Sequence, residues 1–309
     1  MKIVFFGTPD FSLKALEMLH EHHEVAMVVT QPDKRKGRGK KIQMTPVKEY
    51  AIKMGIPVFQ PENINESYAI DLIREKDPDA AVVVAYGQIL KDDMLNLPRL
   101  GCYNIHASLL PAYRGAAPIH RAIINGEEKT GITIMKMDKG MDTGDMIIIR
   151  ELPIKKDDTV GCLHDRLAVL GAEAILEAIA QVEKGTAIRT VQDNALATYA
   201  PKLTKETGAI DWSKSSEEIL NLIRGLNPWP VAYTYYQNIK MKILEAKHIE
   251  CESDMLPGTY IRMCNNGFLV KTGSDCLLIT RVQFPNKKAM YADEYARGHI
   301  LETGTIFGK

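Results

Sequence analysis

The sequence predicts an α/β protein in two parts: a doubly wound, mostly parallel sheet, then a smaller β-barrel. Three observations carry this expectation. Over the first 189 residues, short apolar runs alternate with amphipathic helical stretches, the pattern of a parallel sheet covered by helices. One run, Pro78-Asp79-Ala80-Ala81-Val82-Val83-Val84-Ala85, is almost wholly apolar, as a central strand covered on both faces must be. From Val231 onward, five short strand-like segments alternate with turns, which suggests a small barrel. A chain of 309 residues can bury two cores without staples. The expected organisation is a Rossmann-like domain over 1–189, a linker over 190–207 and an OB-like domain over 208–309.

Taken in order, Lys2-Ile3-Val4-Phe5-Phe6-Gly7 reads as a buried strand and 11–19 as a helix. The turn between them, Gly7-Thr8-Pro9-Asp10, lacks the glycine spacing that brings backbone against a pyrophosphate, which argues against NAD or FAD. Asp10 is expected to cap the helix. A second strand at 25–29 leads into a loop too polar and glycine-rich to pack. It carries six cations in eight residues: Lys34, Arg35, Lys36, Arg38, Lys40 and Lys41. Such a loop is either a solvated surface element or an arm that orders on a polyanion. Its glycines let the backbone approach phosphates closely, and Arg38 stands between two of them.

Residues 45–54 read as a helix capped by Thr45 with Pro46 at its first position. A short strand at 56–59, a helix at 65–76, the central strand, a short helix at 89–95 and a strand at 100–106 follow. Two β-branched strands are expected at 130–137 and 146–152. Beyond Asp157-Asp158-Thr159, a long helix places Val160, Leu163, Leu167, Leu170, Ile175, Ile179 and Val182 on a 3.6-residue period. Gly185 stops it, and His164 on it is read as structural. Further on, Ser215 and Ser216 cap a helix to 226, with Glu217 and Glu218 in its favourable first turn. Asn227-Pro228-Trp229-Pro230 reads as a rigid turn with Trp229 anchored in the core. The five strands are placed at 232–236, 240–247, 258–263, 267–272 and 276–282.

Lysine plus arginine and aspartate plus glutamate each number 39, so nothing global marks a nucleic-acid or membrane binder, and a polyanion would need a local patch. The five cysteines form no C-x-x-C pair and have no histidine at ligand spacing, so no zinc or other metal site is expected, and the set suits a reducing compartment. No leader-like start and no long apolar run are present, which suggests a soluble cytoplasmic protein. A monomer is expected.

Chemistry concentrates in two stretches. In Tyr103-Asn104-Ile105-His106, residues 104 and 106 project to one face of a strand end. That end is the carboxyl edge, where open α/β sheets hold ligands. Ser108-Leu109-Leu110-Pro111 and Tyr113-Arg114-Gly115 then form a shaped loop, with a helix restarting near Pro118. An amide and an imidazole side by side can both donate hydrogen bonds to a developing oxyanion. In the second stretch, Lys139-Gly140-Met141-Asp142-Thr143-Gly144-Asp145, glycines flank Asp142 in a tight turn between two strands. A strand-end Asn or His more often bonds a turn or solvent, and such a turn alone is an ordinary hairpin. Together they supply a donor, an acid/base and an orienter: Asn104, His106 and Asp142.

These stretches resemble the folate-dependent formyltransferases, which move a formyl group from 10-formyltetrahydrofolate to an amine. Gly7-Thr8-Pro9-Asp10-Phe11, the Lys-Gly-Arg-Gly-Lys-Lys loop, Tyr199-Ala200-Pro201-Lys202-Leu203-Thr204-Lys205 and Asn227-Pro228-Trp229-Pro230 extend the likeness over nearly the whole chain, toward members that formylate methionyl-tRNA. The resemblance implies transfer to the α-amine of methionine on initiator Met-tRNA, with Asn104, His106 and Asp142 catalytic. It also implies a folate pocket shaped by Ser108, Leu109, Leu110, Pro111, Val84 and Ile89, and a tRNA contact through the six basic residues of the loop. Residues 206–309 carry acids and bases in about equal number, so RNA contact there is expected to be weaker or confined to one face. A sugar-nucleotide amine formyltransferase would share the three site residues but would not need the basic loop. An RNA-binding protein with an inert folate site is the non-enzymatic alternative, and the intact triad argues against it.

Overall fold

The computed structural model describes residues 1–36, 41–299 and 301–308. In chain order it contains β1 (Lys2–Gly7), α1 (Leu13–His22), β2 (Glu24–Val29), β3 (Lys34–Lys36), β4 (Lys41–Gln43), α2 (Pro46–Lys53), β5 (Val58–Phe59), α3 (Ser67–Arg74), β6 (Ala80–Val84) and α4 (Asp92–Leu95). Then come β7 (Cys102–His106), α5 (Pro118–Ile124), β8 (Lys129–Lys136), β9 (Met146–Pro153) and α6 (Val160–Glu183). The remainder is α7 (Ser216–Gly225), β10 (Ala232–Tyr236), β11 (Ile239–Ile249), β12 (Tyr260–Cys264), β13 (Gly267–Lys271), β14 (Cys276–Gln283), β15 (Met290–Tyr291) and α8 (Ala292–Gly298). Two compact units emerge: Met1–Pro118 with Lys129–Pro153 and His164–Ala200, and Ile119–Glu128 with Ile154–Leu163 and Pro201–Lys309.

The first unit holds a seven-stranded sheet in the order β5-β2-β1-β6-β7-β8-β9. The strands from β5 to β7 run parallel, whereas β8 and β9 are antiparallel. The sheet is thus the mostly parallel one expected, with an antiparallel edge. Every residue of β6 is buried, which accounts for its unbroken Ala/Val run. One face is packed by Val4, Phe6, Met27, Val29, Ile70, Ile73, Val83 and Met94, from the strands, α3 and α4. β7 changes the sheet's direction sense: Asn104 lies opposite Val83 of parallel β6, and His106 lies opposite Thr133 of antiparallel β8.

Local signals hold where a side chain closes a helix end. Thr45 Oγ1 accepts the Lys48 amide at 3.2 Å, with Pro46 starting α2. Ser215 and Glu218 form a reciprocal capping box at the start of α7. Asp10 departs from expectation. A 3-10 turn, Asp10–Ser12, precedes α1, so the Asp10 carboxylate accepts the neighbouring Phe11 amide at 3.0 Å and does not cap the helix. His164 rests edge-on against Phe11, a packing role. The basic stretch also differs from an unstructured loop, because β3 and β4 pair as an antiparallel ribbon, Lys34 opposite Gln43 and Arg35 opposite Ile42. Arg38 and Lys40 lie outside the described residues, as do the side chains of Arg35, Lys36 and Lys41.

The second unit carries an antiparallel sheet in the order β10-β11-β14-β13-β12, with β15 paired to β14. Among the described strands, β10 and β12 do not pair with each other, leaving the path open, as is usual for OB-type barrels. Trp229 is 60 % exposed and is not the core anchor expected of it. That place belongs to Trp212, 5 % exposed, whose indole N–H donates to Thr234 Oγ1 at 2.9 Å and so gains the partner a buried tryptophan needs. The cysteines divide into one pair and three free thiols. Cys251 and Cys276 form a disulfide, because the pairing of Ile249 with Cys276 brings their Cα atoms to 5.8 Å. Cys102, Cys162 and Cys264 are free thiols. No described helix is long and apolar enough to cross a membrane.

Candidate active site

His106 ends β7 with its ring buried, and Nε2 lies 3.0 Å from the carbonyl oxygen of Tyr113. A carbonyl only accepts, so Nε2 carries a proton whatever the charge of the ring. The other nitrogen, Nδ1, stands 3.6 Å from Oδ2 of Asp142. The ring nitrogen not committed to the loop therefore faces the carboxylate. Two residues upstream on the same face, Asn104 is partly buried, and its side-chain amide bonds to no described residue. Its donors are available to a ligand.

The loop after β7 gives this geometry its rigidity. Ser108 Oγ, fully buried, donates to the Ala112 carbonyl at 2.6 Å. Thr133, opposite His106 in the register, accepts the Leu110 amide at 3.1 Å and donates to the Ser108 carbonyl at 2.8 Å. Tyr113 adopts a positive φ of 61°, turning its carbonyl toward His106. Gly115, at φ 115°, then passes so close to Ala200 that a Cβ would meet that residue's carbonyl oxygen at 3.0 Å.

Asp142 is held from several sides. Its Oδ2 accepts the Gly115 amide at 2.7 Å. The positive φ of the turn falls on Asp142 itself, at 55°, a conformation Asp tolerates better than most residues. The flanking glycines serve close approach instead, since a Cβ on Gly144 would collide with the Lys136 carbonyl. Gln192 Nε2 donates to the carbonyls of Asp142 and Gly144, at 2.8 Å each. Gln192 Oε1 accepts from Arg114 Nε and Nη2 at 3.1 and 2.7 Å.

The sequence-predicted residues thus separate into groups. His106 and Asp142 are brought together, with Asn104 two positions along the same strand face. Leu110 is 4 % exposed and packs with Met135 and Met146, while Leu109 and Pro111 are half-buried. Ser108 spends its hydroxyl inside the loop. Val84 lies at the carboxyl end of β6, but its carbonyl already accepts Ser12 Oγ at 2.7 Å. The Ile89 carbonyl accepts Asn65 Nδ2 at 2.9 Å, and its side chain is exposed. Sequence reasoning placed Arg114 and Gly115 in the shaped loop without their contacts, and missed Thr133, Gln192 and Thr198. Arg114 and Gly115 carried a signal in the motif after Pro111, whereas the register that sets Thr133 opposite His106 is visible only in the sheet. Gln192 and Thr198 lie in a stretch without a period.

Residues 1–179 match the family model described as formyl transferase, and 202–300 match its C-terminal domain. The methionyl-tRNA formyltransferase of Clostridioides difficile strain 630 is 50 % identical over 309 residues, covering 100 % of both chains. That of Acetivibrio thermocellus is 50 % identical over 311 residues, again with 100 % of both chains covered. The chain belongs to the methionyl-tRNA formyltransferase family. Its fold is shared more distantly by the N-formyltransferase of Helicobacter canadensis, solved with folinic acid and dTDP-3-aminofucose. That structure aligns at a TM-score of 0.66 and 20 % identity, covering 90 % of this chain and 99 % of that one. As a formyltransferase, the chain carries its Asn104, His106 and Asp142 in residues 1–179, the span of the family's first model.

Proposed function

We propose that this family member transfers the formyl group of 10-formyltetrahydrofolate to the α-amine of methionine on initiator Met-tRNA, using Asn104, His106 and Asp142. The observation that carries the assignment of roles is the pairing of His106 Nδ1 with Asp142 beside the uncommitted Asn104 amide, at the carboxyl edge of β7. The near-identical length of the tRNA-directed relatives and their 50 % identity support the acceptor. Support for a folate donor comes from the Helicobacter canadensis neighbour, solved with folinic acid.

The reaction begins with the neutral amine. A free α-amino group has a pKa near ~7.7–8.0, so a useful fraction is unprotonated at neutral pH. Its lone pair attacks the formyl carbon, and the carbonyl π electrons move onto oxygen. Asn104 Nδ2 donates to that oxyanion, and so does His106 through Nδ1–H when the ring is protonated. Asp142 holds the imidazolium and receives the amine proton through a water. Collapse re-forms the carbonyl and breaks the bond to N10 of the folate, which takes up the proton that Asp142 received from the amine, so the carboxylate is regenerated. Leu109, Leu110 and Pro111 shape the folate pocket, and the cations of 34–41 meet the acceptor end of the tRNA.

The test is formyl transfer from 10-formyltetrahydrofolate with initiator and elongator Met-tRNA side by side. Rapid transfer to the initiator alone supports the reading. No transfer to either, with folate still bound, overturns the acceptor assignment.

A further inference from the structure

The Gln192 side chain, 5 % exposed, has its full complement of hydrogen bonds: two from its amide hydrogens and two to its oxygen. Its orientation is fixed by chemistry. Arg114 can only donate, so the oxygen must face it, and the carbonyls of Asp142 and Gly144 can only accept, so the NH₂ must face them. Arg114, 2 % exposed, is anchored in turn. Nη2 also donates to Asn194 Oδ1 at 2.9 Å, its amide donates to the Thr198 carbonyl at 2.9 Å, and its carbonyl accepts the Ala200 amide at 2.7 Å. The residue after it, Gly115, donates to the Asp142 carboxylate. The contacts close a ring: Asp142 side chain to Gly115, Gly115 through the chain to Arg114, Arg114 to Gln192, and Gln192 back to the Asp142 main chain.

We infer that Gln192 is a positioning residue that holds the Asp142 carboxylate against His106 during transfer, with Arg114 keeping its amide aimed. The kinetic part of this inference rests on the formyl-transfer reading above. The turn is tied within itself by Asp138 Oδ1, which accepts the Gly140 amide at 2.9 Å and the Thr143 hydroxyl at 2.6 Å, but residues 138–141 are exposed and Asp142 carries the unusual backbone φ, so apolar packing does not fix it. Hydrogen bonds to the main chain of Asp142 and Gly144 thus do what apolar packing does elsewhere. Small displacements of a catalytic group are costly, on the order of 100-fold in rate for about 1 Å. Gln192 acts only through Asp142.

Two variants separate positioning from folding. Gln192→Leu removes all four bonds. Gln192→Glu keeps acceptors for Arg114 but places oxygen against two carbonyls. Both are expected to lower kcat by about 10- to 100-fold with KM for either substrate within about twofold. Gln192→Glu should do so with its Tm close to the parent's. In an Asp142→Asn background, Gln192→Leu should cost less than about twofold more, because the two residues act as one unit. Amide exchange at Gly115, which needs no substrate, should accelerate at least about tenfold in Gln192→Leu. Unchanged Gly115 exchange, an unchanged kcat, or a full multiplicative loss in the Asp142→Asn background overturns the inference. If the parent chain fails to formylate Met-tRNA, the acceptor assignment falls, and Gly115 exchange alone decides whether the clamp exists.

Discussion

Nδ1 of His106 faces Oδ2 of Asp142 at 3.6 Å while the opposite ring nitrogen is committed to the Tyr113 carbonyl. The imidazole therefore has one fixed proton and one exchangeable position, and the exchangeable position lies beside a carboxylate. At 3.6 Å the pair is a close approach rather than a hydrogen bond, which leaves Nδ1–H able to turn to an oxyanion while Asp142 balances the charge of the ring.

Replacing Asp142 with Asn keeps the shape and the bond from Gly115 but removes the charge that holds a protonated His106. Steady-state formylation should show kcat reduced by about 100-fold or more, with little change in KM. A loss confined to KM would reassign Asp142 to binding.

Asn104 offers the one site amide free of partners among the described residues. Asn104→Ala should reduce kcat by about 10²- to 10³-fold, the usual effect of deleting an oxyanion donor. Substrate affinity, measured by folate titration, should change little. Weaker folate binding with normal turnover at saturation would place Asn104 on the ground-state substrate instead.

Thr133 tests the loop apart from the chemistry. Its hydroxyl, wholly buried, serves the Leu110 amide and the Ser108 carbonyl. Thr133→Val has the same shape but strands both groups, so denaturant unfolding should show a loss of about 1–3 kcal/mol. Thr133→Ser should restore most of it.

The basic stretch is tested by Arg38→Leu. Turnover on Met-tRNA should fall while folate affinity stays intact, and the salt dependence of tRNA binding should become shallower by about one counterion. Loss of folate affinity would remove the loop from the tRNA assignment.

The free thiols give a check on burial. Cys102 is fully enclosed, and desolvation pushes its thiol up to about 12, whereas Cys162 is exposed. The thiolate is the reactive form, and burial disfavours it at Cys102. Iodoacetamide should label Cys162 and leave Cys102 untouched in the native protein. Equal labelling would mean that β7 opens far more readily than its burial implies.

Much of this was legible in the chain. The Ala/Val run of β6, the cap at Thr45 and the box at Ser215 are local signals, and local signals survive folding. Asn104, His106 and Asp142 stood out because their residue types and neighbours matched a known pattern. What could not be read was non-local. Gln192 looks like any polar residue in an aperiodic stretch, and its four bonds reach residues 48 to 78 positions away. Trp229 misled for the same reason: a tryptophan between two prolines gives no hint that Trp212, with Thr234 at hand, fills the core.

The stretch 190–200, without strand or long helix of its own, closes the back of the loop that carries His106. The Tyr113 amide is tied to Thr198 Oγ1 across 85 residues, at 2.9 Å. A nascent chain that has just released His106 from the ribosome must therefore wait for Ala200 before its site can set. At about 5–20 residues per second that interval is roughly 5–19 s. Through it the imidazole and the Asn104 amide, joined part-way by the turn of Asp142, wait for the contacts of residues 190–200. The site is completed late in the synthesis of the chain, and a chain cut at 189 would carry all three candidate side chains yet none of the bonds that Gln192, Thr198 and Ala200 supply.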